Sequence, residues 1–200
     1  VDDGSRDPEV RAMLERYAAA DPRVRLRRHE RAGGIAAATN AALELARGEY
    51  VALLDHDDLL VPDALEQVAA VLRERPETDM VYSDEEVFEV GGPTHVFTKP
   101  HWSPDLLRSQ MYTCHLGVYR RRIAAEVGGF RGGFDGSQDF DFALRFSERG
   151  GRVVHIPRVL YRWRAHAKST AGSAQAKPAA YPAALRAIAE HLERTAVEAD

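Results

Sequence analysis

Asp55-His56-Asp57-Asp58 follows directly on the apolar run Tyr50 to Leu54. Side chains alternate along a strand, so positions two apart share a side. Asp55 and Asp57 can therefore face one cation from just past a buried strand. Oxygen-only ligation suits Mg²⁺ or Mn²⁺, with substrate phosphates completing the shell. Two more acidic clusters, Asp2-Asp3 and Asp84-Glu85-Glu86, follow strand-like runs. Carboxylates brought together repel, and a bound divalent cation is the simplest remedy. The plain structural alternative for Asp55 to Asp58 is a solvated turn capping the helix near Pro62.

The elements that must position these groups alternate along the chain. Asp7-Pro8 reads as an N-cap and first helical residue. Val10, Met13, Leu14 and Tyr17 then lie on one helical face. Val24 and Leu26 alternate with arginines, as in a half-buried strand ending near His29. Gly33-Gly34 breaks the chain, and Ile35 to Ala46 reads as a well-buried helix closed by Gly48. Tyr50 to Leu54 reads as a central strand. Pro62 opens a helix whose inner face is Leu65, Val68, Ala69 and Leu72, and Pro76 ends it. Met80 to Tyr82 is a third strand. Residues 91–105 read as a long loop, Leu116 to Tyr119 as a strand and Arg121 to Val127 as a short helix. A helix from about Gln138 to Arg149 and a late strand from Val153 to Ile156 follow. Ser169 to Pro178 reads as a linker and Pro182 to Arg194 as a final helix. The pattern predicts an α/β layered domain with a mixed, mostly parallel sheet, whose ligands bind at the carboxyl ends of strands.

The chain has 200 residues, enough for one domain with a sizeable core. Hydrophobic residues make up 44% and charged residues 29%, which excludes a wholly disordered chain. Lys and Arg number 27 against 31 Asp and Glu, for a net charge of -4. That balance argues against a dedicated nucleic-acid binder. No apolar run approaches the roughly 20 residues of a membrane span. The lone cysteine, Cys114, excludes an intramolecular disulfide and reads as a small buried hydrophobe.

Taken together, Val1-Asp2-Asp3-Gly4-Ser5, Gly34 through Asn40 and Gly48 through Asp58 resemble the family 2 glycosyltransferases of the GT-A fold. The resemblance continues through Lys99-Pro100-His101-Trp102-Ser103-Pro104-Asp105-Leu106-Leu107, Gly128-Gly129-Phe130, Gly136 to Asp141 and Tyr161 to His166. It covers residues 1 to about 170, in order, and is nearest the bacterial O-antigen and cell-surface polysaccharide branch. The family's first strand and helix precede the Asp-Asp-Gly-Ser turn. The resemblance therefore implies an N-terminally incomplete GT-A domain over 1–170, with a linker and C-terminal helix over 171–200. It further implies a sheet left unpaired beside the strand ending at Asp3.

The resemblance assigns roles. Asp3 meets the nucleotide base, since a carboxylate accepts from an imide N–H. Asp57 binds metal, with Asp55 on the ribose or metal side, and the cation offsets charge on the departing diphosphate. Asp139 is the general base of an inverting displacement. The family often has Glu before this residue, where Gln138 stands here, and Arg or Lys where Thr39 stands. Asp141 reads as structural. Arg162, Arg164 and His166 lie on a loop that closes over the diphosphate; Arg164 reads as a nucleotide ligand and His166 as a metal ligand. Trp102 and His115 are acceptor-side candidates, with Tyr112 beside them.

The implied activity is a hexosyl or deoxyhexosyl transfer from a UDP- or dTDP-sugar to a hydroxyl of a glycan or lipid-linked glycan. It is expected in the cytoplasm, at the inner face of the membrane. The processive Gln-x-x-Arg-Trp pattern is absent, so one sugar is expected per encounter. Two alternatives stand beside it. One is an inactive nucleotide-sugar-binding fragment. The other is a Mg²⁺-dependent phosphatase of the haloacid dehalogenase type with Asp55 as nucleophile, although Leu59 stands where that pattern wants Thr or Val.

Overall fold

The computed structural model describes residues 1–89, 91, 92, 94–149, 151–165 and 179–196. A six-stranded mixed sheet forms its centre, in the order β1(Tyr50–Ala52), β5(Gly117–Arg120), β3(Thr78–Phe88), β6(Arg152–Arg164) and β2(Leu59–Leu60). The sixth strand, β4(Thr94–Phe97), pairs with the far end of β3. Among the described residues β3 and β6 are the strand pair that runs parallel, from Thr78 beside Arg152 to Phe88 beside Arg164. The pairs β1–β5, β2–β6, β3–β4 and β3–β5 are antiparallel, so the expectation of a mostly parallel sheet is corrected.

The spine β3 explains the layering. Met80 and Tyr82 point to one face and Val81 to the other, as strand alternation requires. On the first face they meet Ala36 of α2(Ile35–Leu45), Ile123 of α5(Arg121–Glu126), and Phe142 and Phe146 of α6(Gln138–Ser147). On the second, Val81 meets Ala64 and Val68 of α3(Ala64–Glu74) and Leu160 and Tyr161 of β6. A third cluster binds α6 to α4(Pro104–Ser109) and α7(Ala180–Thr195) through Leu107, Leu144, Ala183 and Ala187. The C-terminal helix is thus packed onto the helix that carries Asp139.

Several sequence expectations are corrected. β1 lies at the end of the strand order, not the centre, and bonds only to β5 among the described residues. Val24 to His29 forms no strand, only an isolated parallel bridge of Asp2 with Arg28. Helix α1(Pro8–Ala20) starts as expected, Asp7 accepting from Glu9 N–H at 2.8 Å. Its apolar face is uncovered among the described residues, however: it buries nothing, and Met13 and Tyr17 are 43% and 56% exposed. In α2 only Ala36 and Ala41 are buried. On α3 the inward set is Ala64, Val68, Val71 and Leu72, while Leu65 faces solvent. Residues 91–105 contain β4 and the start of α4. β3 does not stop at Tyr82 but runs through Ser83 to Glu86, so that acidic cluster lies within a strand. β6 extends to Arg164, placing Arg162 and Arg164 on a strand. Ser169 to Pro178 and His166 lie outside the described residues. No helix among the described residues is long and apolar enough to cross a membrane.

Candidate active site

A cavity of about 110 Å³ opens at the carboxyl end of β1. Asp55 and Asp139 both line it, together with Thr39, His115, Phe130 and Gln138. Residues far apart in sequence thus converge on one cleft. Asp55 follows β1, and its N–H donates to the Tyr161 hydroxyl at 3.2 Å. Desolvation pushes the Asp55 carboxyl above its ordinary value. The charges of Asp58, Asp139 and Asp57 push the same way, and His115 opposes them.

Asp139 sits in the first turn of α6, where the N-terminal helix dipole favours an anion. The helix cap is Ser137, not Asp139, because Gly136, at φ +85°, turns the chain one residue earlier. Gln138 Oε1 accepts from Gly136 N–H at 2.8 Å and braces that turn. Asp141, two residues on, is fully buried and binds Arg131 and Arg145. Burial alone would raise its pKa, but those two guanidinium groups hold it low. Arg145 also donates to the carbonyls of Val127 and Gly129, fixing the glycine turn before Phe130.

That turn is clamped from α2. Asn40 Nδ2 donates to Phe130 O at 2.7 Å, and Phe130 N–H donates to Asn40 Oδ1 at 2.8 Å. A Cβ at position 129 would lie 2.4 Å from Asn40 Oδ1, and φ there is +64°, so only glycine fits.

The Asp55–Asp58 loop is braced by β6. The Tyr161 hydroxyl donates to Asp58 Oδ2 at 2.6 Å, and Arg164 N–H donates to Asp58 Oδ1 at 2.7 Å. Arg164 Nε donates to Asp57 O at 2.7 Å, which seats this candidate nucleotide ligand beside the loop. Arg162 instead pairs with Glu86 at 2.6 Å.

Asp58 is buried, and with Asp55 and His115 it offers three ligand atoms within 4.8 Å of one another. This set fits a divalent cation. Asp57, the expected ligand, is not one of the three.

Asp3 is held by the chain itself. Its oxygens accept from Gly33 N–H at 2.9 Å and Gly34 N–H at 2.8 Å, and His29 Nδ1 lies 2.7 Å away. The Gly33 bond, then His29, keep its carboxyl below its ordinary value. Asp3 thereby fixes the start of α2, whose Ile35 and Thr39 line the cavity. Trp102 does not line the cavity; it packs half-buried against Tyr112, ring centres 6.3 Å apart. Cys114 does line it, and burial pushes its thiol up, away from nucleophilic use.

Sequence reasoning missed the buried group behind the cavity. Glu85 Oε2 accepts from both the backbone N–H and Nδ1 of His115, each at 3.0 Å. Lys99 Nζ lies 3.4 Å from the same carboxylate, donates to Thr113 O at 2.8 Å and also donates to His115 O. Burial alone would raise the Glu85 pKa, but His115 and Lys99 hold it below its ordinary value. The available signals were the acidic run Asp84-Glu85-Glu86 directly after an apolar stretch and the lysine at position 99.

The sequence profile of Glycosyl transferase family 2 matches residues 1–128. The chain is 49% identical to the protein y4gI of Sinorhizobium fredii, over 98% of its length and 22% of the relative's. It is 38% identical to the O-antigen biosynthesis protein RfbC of Myxococcus xanthus, covering 100% of this chain and 16% of that one. It therefore spans about a fifth of these relatives. Among solved structures, S. aureus TarS 1-349 in complex with UDP-GlcNAc superimposes with a TM-score of 0.73 at 20% identity. That match covers 96% of this chain and 56% of the other. A mannosyltransferase from Pyrobaculum calidifontis, solved with GDP-Man and Mn²⁺, gives 0.59 at 18% identity, covering 98% and 65%. At such identities the likeness establishes the shared fold.

Proposed function

The chain belongs to glycosyl transferase family 2, and on that basis we propose that its protein transfers a sugar, with inversion, from a nucleotide diphosphate to a glycan hydroxyl. The family leaves the phosphatase alternative without support. The observation that carries the reading is the meeting of Asp55 and Asp139 in one cavity.

In this reading Asp139 takes the acceptor hydroxyl's proton as the oxygen attacks the anomeric carbon. The bond from that carbon to the phosphate oxygen breaks on the opposite face, and the electron pair leaves with the nucleotide diphosphate. A divalent cation, Mg²⁺ or Mn²⁺, supplies charge neutralisation for that leaving group when bound. Asp55 and Asp57 would face the cation and ribose, Arg164 the phosphates and Asp3 the base. His166 remains a proposed metal ligand. His115 stands on the cavity wall, while Trp102 supports the acceptor side through packing. The donor is a UDP- or dTDP-sugar. The acceptor is a growing surface glycan or its lipid-linked precursor, met at the cytoplasmic face of the membrane.

The test is transfer by the full-length protein from candidate nucleotide sugars with Mn²⁺, reading the new linkage by NMR. Inverted anomeric configuration supports the reading. Retention, or activity that survives thorough chelation, overturns it.

A further inference from the structure

Resting on the transferase reading, we infer that His115 is itself a ligand of the divalent cation, through Nε2, alongside Asp55 and Asp58.

Three independent features carry this. The first is proximity: the three ligand atoms lie within 4.8 Å of one another. The second is the commitment of the other ring nitrogen. Glu85 holds His115 Nδ1 at 3.0 Å, leaving Nε2 as the ring atom that can bind a cation. A metal-binding histidine characteristically gives its second nitrogen to a carboxylate, which fixes the ring and raises its basicity as a ligand. The third is shared support. The His115 ring stacks on Tyr161 at 4.5 Å and 14°. The Tyr161 hydroxyl in turn bonds Asp58 Oδ2 and Asp55 N–H. One tyrosine thus sets the relative positions of all three candidate ligands.

The inference also gives the buried Glu85–Lys99 pair a purpose, which the transfer step alone does not. Both side chains are about 5% exposed or less, and a buried pair stabilises weakly against an apolar substitute. Lys99 pins the carbonyls of Thr113 and His115 on either side of Cys114, whose φ of +30° is strained for a residue with a side chain. Glu85 and Lys99 are positioning residues in this account: they hold the segment that presents the imidazole. A nitrogen donor also favours Mn²⁺ over Mg²⁺, which prefers oxygen.

The test is pulsed EPR on the full-length protein loaded with Mn²⁺ alone. Wild-type protein is expected to show imidazole ¹⁴N coupling that converts to the ¹⁵N pattern on histidine-selective labelling. His115→Gln should lose it and His166→Gln should keep it. Glu85→Gln should weaken Mn²⁺ binding by about 10–100-fold. If His115→Gln fails to fold, Glu85→Gln leaves the imidazole in place and tests the assignment through Mn²⁺ affinity, and unchanged affinity there overturns the inference. Histidine coupling absent from Mn²⁺-loaded wild type, or abolished by His166→Gln, overturns the inference. Sugar transfer with no histidine coupling overturns it while sparing the transferase reading; inverted transfer failing with every donor overturns that reading instead.

Discussion

Two acidic runs in this chain look alike in sequence and end differently. Asp55 to Asp58 follows Tyr50 to Leu54, and Asp84 to Glu86 follows Met80 to Tyr82. β1 stops at Ala52, so Asp55 reaches an open cavity. β3 continues to Phe88, so its acids are carried into the sheet and each finds a cation or histidine. Asp84 meets His155 at 2.8 Å, Glu85 meets Lys99 and His115, and Glu86 meets Arg162. In the first run desolvation, and after it the neighbouring carboxylates, raise Asp55; in the second His115 and Lys99 hold Glu85 below its ordinary value. Here a carboxylate run borders a cavity where its strand ends, and becomes framework where the strand goes on.

The largest effect that would break or sharpen this contrast lies in the cleft. Asp139→Asn should keep donor affinity and folding while turnover falls on the order of 10²–10⁴-fold. Near-normal transfer by that variant removes the cleft's claim to chemistry. Next comes the framework run. Glu85→Met removes the carboxylate paired with the buried Lys99 ammonium, leaving it the carbonyls of Thr113 and His115, and should cost about 3–5 kcal/mol in chemical denaturation. A loss under about 1 kcal/mol would mean that those two carbonyls suffice. Asp57→Ala should weaken nucleotide binding by about tenfold or more, roughly 1.4 kcal/mol, in calorimetry with Mn²⁺. Its denaturation midpoint should barely move, in contrast to Glu85→Met.

The smallest effect is one of sign. Glu85 and Asp141 titrate below their ordinary values when folded, so each adds stability above the ordinary carboxylate range, near pH 4. That stability is lost as pH falls through the folded values. Asp55 is raised, so its contribution runs the other way: present at low pH and lost as pH rises through its folded value. Asp55→Asn should therefore stabilise the protein slightly at neutral pH. A lower melting temperature at pH 7 for that variant would show that the cost of its buried charge had been misjudged.

Much of this was legible beforehand, for reasons that can be named. Asp7-Pro8, the apolar run before Asp55 and the glycine turns before Gln138 are local signals, and α1, β1 and α6 begin where those signals sit. The placing of Asp55 and Asp139 in one cavity came through the resemblance, because no local pattern brings them together. Pairing was not legible. Whether β3 stops at Tyr82 depends on β6 and β4 lying alongside it. The face of α1 that the described residues leave uncovered and the outward Leu65 show the same limit: helical spacing names an apolar stripe but not what lies against it. The Glu85–His115 contact rests on the close pairing of β3 with β5 and the loop before it.

The docking of α7 has a consequence for how such a domain is inherited. Ser137 Oγ donates to Ala180 O at 2.8 Å, Arg186 donates to Gly133 O, and Arg131 bridges to Glu190 at 2.7 Å. All three bonds grip the loop that delivers Asp139. A recombination that spliced a new partner between residues 170 and 180 would keep every acidic motif intact. It would still hand on an Asp139 whose loop had lost those three bonds. The structural support of the Asp139 loop therefore reaches past the recognisable motifs, as far as Glu190 of α7.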